Sequence, residues 1–342
     1  MTTSSTTLQA ASPAAPPSVR LDWTPLALAP LLMLLAFPLI GSPSTWLTLT
    51  IAGLAMGMII FVVSSGLTLV FGLMDVLNFG HGAFIALGAY VAASVLLPLA
   101  GWVEADSLAL NLSVFALAIA AAMVAAGAVG LFFERVVVRP VYGQHLKQIL
   151  ITMGGMIVAE QLIKAIWGPE TIALQVPTTF RGAVLLGDAA IEKYRLIAMA
   201  LGLVIFIAML LLLNRTRIGL LIRAGVENRE MVEALGYRVR RLFIGVFVAG
   251  AALAGLGGVL WGLYQQNITA AIGAQLNVLI FIVIIIGGLG STTGCFVGAL
   301  LVGLMANYTG FLFPKVALFS NILLMMLILL WRPQGLFPVA RR

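Results

Sequence analysis

Charged residues are scarce in this chain of 342 residues: Asp, Glu, Lys and Arg make up 9% of it, and hydrophobic residues make up 62%. A soluble domain covers its surface with charge, so this composition excludes a soluble protein with a core of its own. Cysteine occurs once, at Cys295, which excludes an intrachain disulfide. The scarcity of charge therefore predicts a polytopic membrane protein.

Residues for catalysis and nucleotide binding are also few. His81 and His145 are the only histidines, too few and too isolated for an HExxH zinc site. No serine lies in a GxSxG turn, and no carboxylates are paired at catalytic spacing within an apolar run. None of the four lysines follows a glycine, so the chain has no P-loop. The sequence predicts no enzyme, no metal site and no cofactor, and any ATP-driven work must be done by a partner.

Apolar segments fill most of the chain, and a helix that crosses a membrane needs roughly 20 such residues. The run 26–40 is short and interrupted by Pro30 and Pro38, and the segment 76–100 opens with polar residues. Well-bounded segments lie at 46–72, 110–133, 148–167, 196–213, 242–264 and 316–331. The stretch 275–313 is expected to form two short helices hinged at Gly287, Gly288, Gly290 and Gly294.

The expected fold is therefore an all-α transmembrane helical bundle of about ten spans. Eight spans is the rival count, obtained by dropping the first run and merging the glycine-hinged pair. Residues 1–25 are expected to form a disordered tail, because their first part is rich in Thr, Ser, Ala and Pro. Residues 338–342 are expected to form a basic C-terminal tail. The start lacks the features of a cleavable signal, so the first apolar run is expected to stay as a helix.

Basic residues fall in alternate gaps between the apolar segments. Residues 214–241 contain seven arginines against three glutamates, and 134–147 contain three bases. By contrast, the gap after Ala100 carries Glu104 and Asp106 with no base. Short loops rich in Lys and Arg face the cytoplasm, so both termini and the segment 214–241 are expected there.

Small and polar residues recur within the apolar segments. Gly250, Ala254, Gly258 and Gly262 follow at four-residue spacing, which predicts close helix packing. Polar side chains inside a span are costly and are functional candidates by default, and the candidates in this chain are Ser65, Thr68, Asn78 and His81. They predict a polar pathway lining. The alternative is that the hydroxyls bond to carbonyls of their own helix and that the other two cap a helix end.

Five motifs in order carry a resemblance to a known family. The stretch SGLTLVFGLMDVLNFGHG at 65–82, continuing to LGAY at 87–90, strongly resembles the signature of membrane subunits of branched-chain amino acid ABC importers. The others are Glu134-Arg135 with Arg139-Pro140, Arg223-Ala224 through Leu235-Gly236, GGLGS at 287–291 with Gly294, and RPQGLF at 332–337. The resemblance covers about residues 46–337. The family often has an acidic residue where this chain has Ala83, so a role for that carboxylate cannot be carried over.

The resemblance implies a permease subunit in a bacterial inner membrane that forms half of a translocation pathway for branched-chain or related amino acids. It implies a second permease, commonly non-identical, two cytoplasmic ATP-binding subunits, and a periplasmic or extracellular solute-binding protein. Membrane lipid is the remaining partner, and no nucleic acid is expected. Near relatives are associated with urea and short amides, so that cargo stays open. An ion-coupled secondary transporter is a more distant alternative, because it needs buried carboxylates that this sequence largely lacks.

The resemblance also implies a role for the basic segment 214–241. Residues 227–235 are expected to form a short helix with Gly236 as its C-terminal cap. In this superfamily a short cytoplasmic helix followed by glycine docks on the ATPase, which makes candidates of Glu227, Glu230, Glu233 and Gly236. The alternative is a solvated loop whose only role is to carry positive charge.

Overall fold

The structure is a computed structural model that describes residues 24–227 and 229–338. Most of the predicted tails, 1–25 and 338–342, lies outside these residues. Within the described ranges the chain is almost entirely helical, and its α-helices are α1 Leu28–Ile40, α2 Pro43–Met74, α3 His81–Leu96, α4 Ala100–Glu104, α5 Leu108–Phe133, α6 His145–Trp167, α7 Lys193–Arg215, α8 Arg217–Glu227, α9 Arg229–Ala234, α10 Val239–Gln265, α11 Ile272–Gly287, α12 Thr292–Leu312 and α13 Ala317–Trp331.

Shorter elements join these helices. A π-helical turn, Glu134–Val138, extends α5, and 3₁₀ turns lie at Thr24–Ala27, Arg139–Val141, Thr178–Phe180 and Pro314–Val316. Four short strands, which were not predicted from the sequence, are β1 Ile172–Ala173, β2 Ala183–Leu186, β3 Ala189–Glu192 and β4 Asn267–Ile268. Strands β2 and β3 form a hairpin, and β1 pairs antiparallel with β4. The second pairing joins the loop after α6 to the loop after α10.

Ten apolar helical segments correspond to the ten predicted ones. By length and composition, the helices that can cross a membrane are Pro43–Met74, Leu108–Val141, His145–Trp167, Lys193–Arg215, Val239–Gln265 and Thr292–Leu312. Four shorter apolar helices lie at Thr24–Ile40, His81–Leu96, Ile272–Gly287 and Phe319–Trp331. The last is shorter than the predicted span 316–331. The all-α membrane bundle is confirmed. Residues 275–313 form two helices, as predicted, and both the ten-span and the eight-span counts stay predictions.

The core of the bundle is built around α2 and α10, and small residues let their backbones approach their neighbours. A Cβ added to Gly57 of α2 would lie 2.9 Å from the carbonyl oxygen of Ala299 on α12. Gly66 of α2 packs directly on Gly250 of α10, and Gly258 packs on the backbone of α3. The stripe predicted from Gly250 to Gly262 is therefore a packing surface, as expected from its spacing.

The connecting segments collect at two ends of the bundle. At one end, the Asp75 carboxylate lies 3.9 Å from His145 Nε2, and the Leu336 N–H donates to Ile286 O. We call this the basic end, and it gathers residue 75 with the segments 134–144, 216–227, 229–238, 288–291 and 332–337, while residues 76–80 lead from it into the bundle. At the opposite end, the Thr178 hydroxyl donates to the carbonyl oxygen of Val103. That end gathers residues 97–107, 168–192 and 266–271.

Candidate functional site

A non-helical segment, residues 75–80, interrupts the bundle between α2 and α3. Asp75 adopts a left-handed conformation with φ +53° and ends α2, and α3 begins at His81 and extends for 16 residues only. Irregular backbone among membrane helices is tolerated only where the protein pairs its N–H and C=O groups or where it lines a cavity. The partners of residues 75–80 therefore define the site.

Side chains from α6 and α11 supply those partners. Gln148 Oε1 accepts from the Leu77 N–H at 3.3 Å, and Thr152 Oγ1 accepts from the Phe79 N–H at 3.1 Å. Asn277 Nδ2 donates to the Phe79 carbonyl oxygen at 2.7 Å. Three polar side chains from two helices thus hold one extended stretch of main chain in the protein interior.

Asn78 completes the set from within the segment, because its Oδ1 accepts from the Gly80 N–H at 3.0 Å. Asn78 was predicted as a site residue from the sequence, whereas Gln148, Thr152 and Asn277 were missed. A signal was available, since each is a polar residue inside an apolar run and is therefore a functional candidate by default. What the sequence did not provide is the distance between helices that brings them to one place.

Unpaired polar atoms surround this segment. Asn78 Nδ2 and Asn277 Oδ1 are buried, and each lacks a hydrogen-bond partner among the described residues. Buried polar groups are nearly always paired, so two exceptions at one segment mark it as a candidate for contact with another molecule. The segment thus combines a fixed backbone with unused donors and acceptors.

The other predicted pathway residues, Ser65, Thr68 and His81, are buried in the same region. Ser65 Oγ donates to Val62 O at 2.7 Å, and Thr68 Oγ1 donates to Ser64 O at 2.9 Å. Both hydroxyls therefore bond to their own helix, which is the alternative to a pathway lining. His81 Nε2 donates to the carbonyl oxygen of Val63 at 3.1 Å, which ties the start of α3 to α2. Their role in a pathway stays a prediction.

The basic segment forms two helices rather than one. Helix α9, Arg229–Ala234, is the short helix expected in this region, and it begins two residues later than predicted because α8 occupies the chain up to Glu227. Gly236 has φ +86°. Its N–H donates to Glu233 O, and the Tyr237 N–H donates to Val232 O. This is the Schellman pattern of a helix C-terminus, in which glycine avoids the Cβ penalty.

A cavity of about 650 Å³ lies beside α9 at the basic end. Four arginines line it together with Glu233 and Gly236: Arg135, Arg238, Arg240 and Arg241. Met231, Leu235 and Tyr237 are 62%, 67% and 48% exposed. The side chains of Glu227 and Glu230 lie outside the described part of the chain. The described surface thus combines exposed apolar groups with arginines.

The glycines of the 287–294 region divide into two groups. Gly288 and Gly290 have φ of +96° and +82° and form the connection between α11 and α12. Gly287 and Gly294 belong to the two helices and pack directly on each other. Gly294 is therefore part of the first turn of α12, where its N–H donates to the Ser291 hydroxyl at 3.0 Å. The hinge role stays a prediction for all four residues.

The family described as "Branched-chain amino acid transport system / permease component" matches residues 49–331. This chain belongs to that permease family.

Individual relatives cover most of the chain. The high-affinity branched-chain amino acid transport system permease protein BraD of Pseudomonas aeruginosa is 28% identical over 293 residues, covering 83% of this chain and 93% of BraD. LivH of Escherichia coli K12, with the same description, is 29% identical over 300 residues, covering 83% and 92%. LivM of that organism is 28% identical over 315 residues, covering 83% and 69%. No solved structure matches the chain.

The sequence motifs of this permease meet at the basic end. Gly72 of the first motif packs on Gly290 of the fourth, and Gly335 of the fifth packs on Gly288. Phe133, next to the second motif, covers Gly80: a Cβ added to Gly80 would lie 2.8 Å from its ring. Segments far apart in sequence therefore form one structural unit next to residues 75–80, and Arg135 of the second motif lines the same cavity as Gly236 of the third.

Proposed function

We propose that this chain is a membrane-spanning permease subunit of an ATP-driven importer and forms half of the translocation pathway for branched-chain or related amino acids. The family match over residues 49–331 carries the proposal, because it covers the six long apolar helices except for the first six residues of α2. BraD and LivH support the cargo, since each is described as a branched-chain amino acid permease and matches over more than 90% of its length.

The interrupted helix pair α2–α3 supports a role in translocation. Transporters place substrate contacts at breaks in membrane helices, where main-chain groups and helix ends become accessible to a solute. Residues 75–80 form such a break, and Asn78 and Asn277 keep unpaired amide atoms beside it. Several weak polar contacts suit a pathway that must release its cargo as readily as it admits it.

The partners follow from the same comparison and from the basic end. The chain matches LivH and LivM proteins alike, which supports a second, non-identical permease as its companion. The sequence has no P-loop, so a partner must supply the energy, and the family resemblance implies that two cytoplasmic ATP-binding subunits do so. The exposed apolar residues of α9 with the adjoining arginines offer their docking surface, and a solute-binding protein delivers cargo at the opposite end.

The proposed topology has ten spans with both termini in the cytoplasm. The basic end contains nine described bases and three acids: Arg135, Arg139, Lys147, Arg215, Arg217, Arg238, Arg240, Arg241 and Arg332, with Asp75, Glu134 and Glu233. The opposite end balances Arg181, Lys193, Arg195 and Lys315 against Glu104, Asp106, Glu170, Asp188 and Glu192. The positive-inside rule assigns the basic end to the cytoplasmic face of the cell membrane.

Reconstitution of the full complex tests this function. Vesicles that contain both permeases and the ATP-binding subunits should accumulate radiolabelled leucine only when ATP is inside and the solute-binding protein is outside. Uptake driven by a sodium or proton gradient without ATP would overturn the importer assignment. ATP-driven uptake of urea but not leucine would keep the mechanism and replace the cargo.

A further inference from the structure

The arginines in the cavity of about 650 Å³ at the basic end have no partner in the protein. Within the described part of the chain, none of their guanidinium groups forms an ion pair or a hydrogen bond. Glu233 is the carboxylate of the described lining. Each guanidinium is always charged and presents five donors, which match the oxygens of a phosphate. The four arginines are Arg135, Arg238, Arg240 and Arg241.

A second, smaller cavity adds to this charge. Its volume is about 330 Å³, and it shares Arg240 with the first cavity. Arg139 lies in its lining together with the buried Glu134, whose Oε1 accepts from the Tyr142 hydroxyl at 2.9 Å. Over both cavities, five arginines against two glutamates leave a net charge of +3. The two cavities thus form a concave, positively charged surface that suits an anion.

The arginines lie at the level of lipid headgroups. Helix α10 has 27 residues, which at 1.5 Å per residue makes it about 40 Å long. A bilayer is about 30 Å thick in its hydrocarbon core and about 40–45 Å thick with its headgroups, so the ends of α10 reach the headgroup regions. Arg240 and Arg241 belong to the first turn of α10, and Arg135 follows the end of α5 by two residues. This is the depth at which lipid phosphates lie.

An open apolar surface continues from the arginines into the membrane segment. Val129, Phe132 and Arg135 are exposed and follow at three-residue spacing, so they share one side of α5. On α10, a Cβ added to Gly245, one turn after Arg241, would meet no atom within 4 Å. Acyl chains therefore have apolar surface and free space next to the donors for a phosphate. A soluble anion would use the arginines alone.

We propose that this cavity binds the phosphate headgroup of an anionic phospholipid, whose acyl chains lie along α5 and α10. Arg135, Arg240 and Arg241 donate to the phosphate oxygens, in the way that basic pockets between membrane helices hold lipid headgroups. The excess of positive charge selects an anionic headgroup over a zwitterionic one. Glu233 and Gly236 line the same cavity, so the lipid borders the surface of α9 that is proposed to dock the ATP-binding subunits.

Lipid retention by the purified full-length chain tests this site without any transport measurement. The protein in detergent receives phosphatidylglycerol or phosphatidylcholine with the same acyl chains, and native mass spectrometry counts the lipids that stay bound. Salt at about 0.5 M screens diffuse attraction between exposed charges. The double variant Arg240→Gln with Arg241→Gln removes two charges from the cavity. Arg215→Gln with Arg217→Gln is the matched control, since it removes two exposed charges from the same end outside the lining.

We expect the wild type and the control to bind phosphatidylglycerol at least about tenfold more tightly than phosphatidylcholine, the scale of a hydrogen bond to a charged group. The cavity variant should lose this preference. Equal binding of the two lipids by the wild type, or equal losses in both double variants, would overturn the site.

Two further outcomes would assign the arginines to another ligand and would also overturn the proposal. Displacement of phosphatidylglycerol by excess inorganic phosphate would show a site for a soluble anion. Loss of the ATP-binding subunits from the cavity variant, with no lipid preference in the wild type, would show that the arginines bind those subunits directly. Neither result bears on the cargo, which the uptake experiment tests separately.

Discussion

Helices α2 and α6 are both long and apolar, but they differ in how much of each is buried in the protein. In the most apolar 18-residue stretch of each, 89% of the residues are buried in α2 and 11% in α6. Helix α2 is enclosed by α7, α10 and α12, whereas α6 exposes Leu150 and Val158 at 70% and 59%. In a membrane, apolar composition alone does not decide whether a helix lies at the centre or the edge of the bundle, because lipid tails are as apolar as leucine.

Small residues explain the difference. Helix α2 presents Gly53, Gly57, Gly66 and Gly72 to neighbouring backbones, and each excludes a side chain at its contact. Helix α6 contains Gly154, which faces open space, and Gly155, which contacts the Phe133 ring. Close backbone approach thus marks a central helix, and polar residues on one face mark the protein-facing side of a peripheral one.

The largest expected effect comes from the same substitution in the two helices. Gly57→Leu places a side chain against the backbone of Ala299 and Leu300, at 2.9 Å from each, and only a shift of whole helices can relieve it. We expect a loss of about 3 kcal/mol in the free energy of unfolding. A Cβ added to Gly154 meets no atom within 4 Å, so Gly154→Leu should not lower the free energy of unfolding. Thermal or SDS-induced unfolding of the purified protein measures both, and equal losses would refute the comparison.

A second, smaller contrast lies within α6 itself. Thr152→Val removes the acceptor for the Phe79 N–H at nearly constant volume, which leaves a part-buried donor unpaired. The expected cost is about 1–3 kcal/mol, with reduced uptake in the reconstituted complex. Val158→Thr on the exposed face can bond to its own helix and should change stability by less than about 0.5 kcal/mol. If the two variants unfold alike, the polar face of α6 does not hold segment 75–80.

Gly236 differs from the glycines of α2, because its replacement is expected to strain the backbone conformation rather than to disturb a contact. A Cβ there meets nothing within 4 Å, but φ is +86°, so Gly236→Val strains the backbone by about 1–2 kcal/mol. Gly245→Val is the control, since that position in α10 is also open and its φ is not positive. We expect Gly236→Val to insert normally but to lose uptake and stimulated ATP hydrolysis. Wild-type transport with intact stimulation would show that α9 is not the coupling element.

The sequence predicted the ten apolar segments because each is set by local composition, and Gly236 as a cap because a Schellman end follows from local chemistry. It did not predict α8, since an amphipathic helix among seven arginines resembles a solvated loop. It also missed Gln148, Thr152 and Asn277 as partners of residues 75–80. Those contacts join residues up to 198 positions apart in sequence, and a single sequence contains no record of which distant residues meet.

The smallest expected effect concerns only the orientation of the helices in the membrane and leaves the free energy of unfolding unchanged. The contact between Asp75 and His145 places the end of α2 and the start of α6 on one side of the membrane, so the two helices run in opposite directions. In a Cys295→Ser background, we expect an impermeant thiol reagent added to intact cells to label Asp106→Cys. It should not label Gln144→Cys until the membrane is permeabilised, because that exposed residue belongs to the basic end. Labelling of position 144 from outside would reverse the topology, and with it the assignment of α9 to a cytoplasmic partner.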